Sequence, residues 1–261
     1  MKRLVTVFFL FLTAPAAFTQ PQGPKLQVAT RLIKPFVFEE SGQLTGFSVE
    51  LWQEIAKDMN VTSEFLIKPT VVELLDSVML QEVALGIAAI SVTAEREVNL
   101  DFSQPMFDAG LMFTSVIFMA YCTATVTSSL TLQQLRSDIN GPADLPGKRV
   151  ASVRGSTAVE YLHRRHITVT EFANVEEAYG PLEQGQADAL VYDAPVLLYY
   201  AAHEGKGKVQ VAGSIFHKED YGIVFPSGSA YRKPVNEALL KMKENGTYDQ
   251  LYKKWFGGNG S

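Results

Sequence analysis

Residues 84–91, ALGIAAIS, carry no charge and no side chain longer than leucine, so a strand built from them has no polar face to turn toward water. Such a strand belongs in a sheet covered on both sides, the arrangement that parallel strands with crossover helices provide. The flanking residues supply those crossovers. KLQVATRLI (25–33) reads as a strand, and GFSVELWQEIAKDMN (46–60) as a helix with Leu51, Trp52, Ile55, Ala56 and Met59 on one face. SEFLIKPT (63–70) is the next strand and VVELLDSVMLQEV (71–83) the next helix. The same alternation restarts after residue 143 with KRVASVR, GSTAVEYLHRR, ITVTEFA, VEEAYGPLEQGQ and ADALVYDAP. YGIVFPSG adds a strand, and KPVNEALLKMKENG and TYDQLYKKWFG add two amphipathic helices. Repeated strand, helix, strand units predict an α/β protein with a mainly parallel sheet in each of two lobes.

With 261 residues, 47% of them hydrophobic, the chain is long enough to bury the cores of two lobes. A net charge of only −5, with no basic run, argues against a nucleic-acid partner. Cys122 is the sole cysteine, which excludes an internal disulfide and a multi-cysteine metal cluster. At the N-terminus Lys2 and Arg3 precede the apolar LVTVFFLFLTA and the small residues of APAAFTQ. This order predicts a signal peptide over residues 1–19, cleaved near 16–19, and a periplasmic or extracellular product. The alternative is an uncleaved anchor, although the apolar core falls short of the roughly 20 residues a membrane span needs.

Candidate site residues fall at strand ends, where open α/β sheets build ligand sites. Ser91 ends the buried strand, and Thr93 and Arg96 follow it. Thr93 reads equally as the N-cap of a helix beginning AERE. Arg96 offers a planar fork suited to a carboxylate, or else an ion pair with Glu95 or Glu97 at the surface. In the second half, VRGST opens a helix directly after a strand. Backbone N–H groups there, with the hydroxyls of Ser156 and Thr157, make an anion cradle or an ordinary helix start. Asp193 follows a buried strand and either holds an ammonium group or caps the helix that Pro195 begins. A cation with hydroxyls in one half, and an anion cradle with an acid in the other, match the two charges of a zwitterionic amino acid.

The stretches PFVFEESGQLTGFSVELWQEIAKDM, ISVTAEREVNLDFSQPMF, RGSTAVEYL and DYGIVFPSGSAYRKPVNEALLKMKENGTYDQLYKKWF, in this order, resemble family 3 periplasmic amino-acid-binding proteins. They are still more similar to the ligand-binding domain of ionotropic glutamate receptors, especially prokaryotic ones. The resemblance implies a type II periplasmic-binding-protein fold, two α/β lobes joined by a two-strand hinge. Lobe 1 would hold residues 24–112 and 213–258, lobe 2 residues 143–212, with residues 113–142 as the crossover. It implies that Arg96 clamps the ligand α-carboxylate beside Ser91 and the Ala89 carbonyl, under an aromatic cover at Phe36. Ser156 would assist through its backbone N–H, Thr157 would meet a distal carboxylate with Arg154 nearby, and Asp193, with Tyr221 beside it, would hold the α-ammonium. Glutamate is the expected ligand, and no cofactor or metal is expected.

Residues 109–135 carry no charge, and AYCTATVTSSLT within them is similar to the end of the third membrane helix of glutamate receptors. Three readings are open: a hinge strand followed by a helix on the lobes, a membrane tether, or part of an assembled channel. Output to a transporter, as the solute-binding component of an ABC system, or to a receptor partner is likewise open. Where the family has glycine-x-x-aspartate before the first buried strand, this chain has Gln81 and Ala84, whereas the second lobe keeps Gly185 and Asp188. His163 and His166 are too few for a metal site, and Ser156 lacks the GxSxG context of a nucleophile. A cyclohexadienyl-dehydratase-like enzyme would share the fold but would need a general acid beyond the anchoring set.

Overall fold

A computed structural model describes residues 23–116, 139 and 141–257. The expected signal peptide, Cys122 and the receptor-like AYCTATVTSSLT lie outside the described residues. Strand β1 (Lys25–Thr30) leads through a hairpin, β2 (Phe38–Glu40) and β3 (Gln43–Thr45), into helix α1 (Phe47–Asp58). Then come β4 (Thr62–Ile67), α2 (Val71–Met79), β5 (Leu85–Gly86) and β6 (Leu100–Phe102). The long β7 (Phe107–Val116) carries the chain into the second lobe. There β8 (Val150–Val153), α3 (Thr157–Arg164), β9 (Val169–Phe172), α4 (Val175–Glu183), β10 (Ala189–Asp193) and α5 (Ala194–Ala202) alternate. Strand β11 (Val209–Tyr221) returns the chain to lobe 1, which β12 (Val224–Pro226), α6 (Arg232–Glu244) and α7 (Thr247–Phe256) complete.

Each lobe is built on a five-stranded sheet, ordered β4-β1-β5-β12-β6 in lobe 1 and β11-β7-β10-β8-β9 in lobe 2. β1 runs parallel to β4 and β5, and β8 parallel to β9 and β10. β10 shows why the second sheet needs cover on both sides. Ala189 and Val191 join the apolar cluster of Tyr161 and Leu162 from α3, whereas Leu190 and Tyr192 join that of Ala178 and Leu182 from α4. The expected face of α1 is inward, with Leu51, Trp52 and Ile55 fully buried.

Residues 85–91 are as buried as expected, with Ala84 partly so, but only Leu85–Gly86 form a regular ladder. Beyond that the Thr30 hydroxyl donates to the Ile87 carbonyl at 2.6 Å and the Ser48 hydroxyl to the Ala88 carbonyl at 3.0 Å. Side chains thus satisfy the backbone where strand pairing stops, which a buried segment requires. The chain then meets the hinge, where Gly222 N–H donates to the Ile90 carbonyl at 3.0 Å and Ser91 bridges Tyr221.

Strands β7 and β11 run antiparallel from Phe107 beside Tyr221 to Val116 beside Val209, with a register shift between Ala212 and His217. Residues 109–116, the start of the uncharged stretch, therefore lie in the sheet, paired with β11 and, over Leu111–Thr114, with β10. Their apolar character is explained by burial in the sheet, so a membrane tether over the full 109–135 is ruled out for that part. Among the described residues, no helix is long and apolar enough to cross a membrane.

Candidate functional site

Arg96 sits in a single turn of 3-10 helix, Arg96–Val98, instead of the α-helix expected from AERE. The Thr93 hydroxyl accepts from the Arg96 N–H at 3.2 Å, so its capping role is realised on this short turn. The guanidinium does not stay on the surface. One nitrogen donates to the Ser91 carbonyl at 2.8 Å and another crosses the cleft to the Gly155 carbonyl of lobe 2 at 3.1 Å. Burial pushes its pKa down, and the carboxylates of Glu160, Asp193 and Glu219 act against that shift. Arg96 is thus a cation aimed between the lobes and surrounded by acids.

Lobe 2 answers with Ser156, Thr157 and Asp193. The Ser156 hydroxyl caps α3 by accepting from the Val159 N–H at 3.3 Å, which leaves its own N–H at the strand-to-helix turn, bonded to the Val153 carbonyl at 3.1 Å. Asp193 stands at the N-terminus of α5 but makes no side-chain cap there. Its carboxylate instead accepts from the Tyr221 hydroxyl at 2.5 Å, from the hinge. Burial lifts the Asp193 pKa to about 7, and the neighbouring Glu219 charge adds to the rise. Helix capping, the competing reading of this acid, is therefore not what its side chain does.

Two residues expected to face a distal carboxylate have other partners here. Arg154 is 68% exposed and reaches Glu171 at 3.7 Å, so it is not a cation for a distal carboxylate in the cleft. The Thr157 hydroxyl donates to Glu219 at 2.9 Å, so in the free protein it serves an acid of the hinge. Phe36 is wholly buried in an aromatic cluster, its ring edge-on to Phe47, Phe107 and Tyr221 and tilted against Phe256. It thereby backs Tyr221 at a centroid distance of 5.2 Å and is a ring removed from Asp193. Ala89 lies 3% exposed in the run leading to Ser91.

The cleft also holds groups that sequence reading missed. Arg31, one residue past β1 and 2% exposed, donates to the Tyr192 hydroxyl across the cleft at 2.7 Å. Reading β1 as far as Ile33 placed Arg31 inside a strand and hid that it stands at a strand end. Glu219 lies in HKEDY, a charge run that reads as a solvated face, yet its side chain is only 4% exposed. Its neighbours Lys218 and Asp220 are exposed, and the alternation of a strand turns Glu219 and Tyr221 inward together.

Two α/β lobes on a pair of long hinge strands, with opposite charges facing each other across the cleft, define a two-lobed binding protein of the type II periplasmic fold. Comparison with known proteins agrees. The profile of bacterial extracellular solute-binding proteins, family 3, matches residues 26–258, and the chain belongs to that family. It is 34% identical to the ABC transporter glutamine-binding protein of Bacillus subtilis over 221 residues, 82% of this chain and 74% of that one. It is 28% identical to an L-cystine-binding protein of Escherichia coli, covering 85% and 79% of the two chains. Among solved structures, the GluR0 ligand-binding core of Nostoc punctiforme, in complex with L-glutamate, superposes with a TM-score of 0.79. The two are 48% identical over 89% of this chain and 100% of that one. An ancestral amino-acid-binding protein, a precursor of cyclohexadienyl dehydratase, superposes at 0.75 with 30% identity over 89% of this chain and 95% of that one.

Proposed function

We propose that the chain is an extracytoplasmic amino-acid receptor that closes on its ligand, and that the ligand is glutamate. The observation that carries this reading is the placement of a half-buried Arg96 and a buried Asp193, oppositely charged, on facing lobes of one cleft. A zwitterion satisfies both at once. Its α-carboxylate replaces the carbonyl partners of Arg96, with the N–H groups at the start of α3 beside it, and its ammonium goes to Asp193 next to Tyr221. Each lobe gains only when the other is near, so ligand binding favours the closed arrangement. Glutamate is favoured because the GluR0 core, the more similar of the named structures, is described in complex with it.

Arg96, Asp193, Glu219 and Thr157 hold charge or donate hydrogen bonds, and the reading assigns them no bond-making step, so we regard the protein as a binder and not an enzyme. Residues 1–19 would direct export. A second output, solute delivery to an ABC transporter, is supported by the glutamine-binding relative from Bacillus subtilis. Thermal unfolding with each common amino acid at millimolar concentration tests the reading, because a ligand that binds only the native state raises the midpoint by mass action. Glutamate is expected to raise it by several degrees. A midpoint unmoved by every amino acid would overturn the proposal.

A further inference from the structure

A second cavity, of about 360 Å³, lies beside the hinge, with walls from both lobes. Tyr252 and Phe256 of α7 line it from lobe 1, Leu198 of α5 lines it from lobe 2, and Ile215 of β11 lies along the hinge between them. That volume suits a small organic molecule. None of the residues assigned to the amino acid lines it. Three of its side chains, Leu198, Ile215 and Tyr252, are among the ten exposed large hydrophobics of the described residues, at 48%, 43% and 40%. Scattered singly such residues need no explanation, but gathered around one cavity they mark a surface that is covered by something.

The lining also says what would cover it. Phe107 stacks on Tyr252 at a centroid distance of 5.7 Å and tilts against Phe256 at 4.7 Å, so the lobe 1 wall is aromatic. Asp108 is the only charged residue of the lining, is exposed, and makes no ion pair among the described residues. Asp220, also exposed, stands directly opposite it in the register of β7 and β11, and like charges so placed repel. A cation is therefore what this corner lacks, and aromatic walls accept both a ring and the positive charge attached to it.

We propose that this groove is a second ligand site and takes a small arylalkyl amine, its ring between α5 and α7 and its ammonium toward Asp108. The groove has its present width in the arrangement in which Lys34 holds Glu204 and Arg96 reaches Gly155. An occupant that touches both walls stabilises that arrangement, so it favours ligand in the cleft and is favoured by it to the same extent.

Tryptamine is the probe, because it has the ring and the ammonium but no carboxylate for Arg96. Calorimetric titration of the unaltered protein is expected to show saturable one-to-one binding of tryptamine and none of indole-3-propionate, which carries a carboxylate in place of the amine. Asp108→Asn is expected to weaken tryptamine about tenfold, as for loss of a charge-assisted contact. Leu198→Trp, which fills the groove from an exposed position, is expected to abolish its binding. In a protein that binds glutamate, saturating glutamate is expected to tighten tryptamine by at least about fivefold. No heat from millimolar tryptamine, equal binding of the two indoles, full tryptamine affinity in either variant, or displacement of tryptamine by glutamate would overturn the inference. Tryptamine affinity that bound glutamate leaves unchanged would overturn it too, since the probe would then sit away from a groove that both lobes line. The comparison of the two indoles needs no substitution and decides the matter even where a variant does not fold. Tryptamine binding in a protein that takes no amino acid would leave this site standing and remove the amino-acid reading of the cleft.

Discussion

Arg96, half-buried, and Asp193, buried, are charges of the cleft whose direct partners in the free protein are neutral, two carbonyls for one and a tyrosine hydroxyl for the other. A zwitterion supplies the charges they lack. Arg96→Ala is therefore expected to cost about 2–5 kcal/mol of amino-acid binding, read by calorimetry, because the ligand carboxylate would be desolvated with no counter-charge. Near-normal affinity would remove Arg96 from the site. Asp193→Asn is expected to weaken amino acids while sparing dicarboxylates such as glutarate that have no amino group; equal losses for both would argue against an ammonium partner. The acid also sets a pH dependence. Its pKa in the folded free protein is raised to about 7 from an ordinary 3.8, so around pH 6 it is mostly protonated. An ammonium ligand needs the carboxylate, so binding there releases a proton, and affinity rises with pH up to about 7 and then levels off. Titrations at pH 6 in two buffers of different ionisation enthalpy would detect that proton. The same shift means that between about 4 and 7 the folded free protein holds a proton that the unfolded chain has lost, so this group's contribution to stability falls as pH rises through that window.

At the scale of elements, the turn before β5 shows how a sequence can break a family pattern and keep its shape. Gln81 stands where lobe 2 has Gly185, and both residues are left-handed, at φ 58 and 67. The Ala84 N–H then donates to the Gln27 carbonyl at 2.9 Å, as the Asp188 N–H does to the Arg149 carbonyl at 2.8 Å. A side chain pays about 1–2 kcal/mol for that conformation. Gln81→Gly is thus expected to stabilise the protein by about 1 kcal/mol, raising the unfolding midpoint by about 2–4 °C, without changing ligand affinity. An unchanged or lowered midpoint would contradict it. The helices with clean starts were legible in the sequence: Thr70, Ser156 and Asn174 each cap the helix expected after them. Strand β11 was not, because Gly213 and the charged HKED interrupt any apolar alternation, and its partner β7 is distant in sequence. The short β2 and β3 hairpin and β6 leave only three residues each, too few for a periodic signal. Residues that line the cleft were legible where a strand end was placed well, as for Asp193, and missed where it was not, as for Arg31.

At the scale of the whole molecule, the lobes meet at a few points besides the hinge. Lys34 pairs with Glu204 at 2.6 Å, Arg96 reaches Gly155, and Arg31 reaches Tyr192. Gly155 has φ 71, and a Cβ added there would lie 2.5 Å from Cγ2 of Val72 on α2 of the opposite lobe. Gly155→Ala is therefore expected to obstruct closure and lower glutamate affinity about tenfold through a contact that exists only when the lobes are together. Small-angle scattering of that variant with glutamate should show the more extended shape. Affinity equal to the unaltered protein would mean that the closed contact is not part of binding. The claim on which all of this depends is that the cleft takes an amino acid. Calorimetric titration of the chain from about residue 20 onward with glutamate addresses it directly. Saturable one-to-one binding is the expected result, and no heat from glutamate or any other common amino acid, with a protein shown to be folded by circular dichroism, would contradict the account.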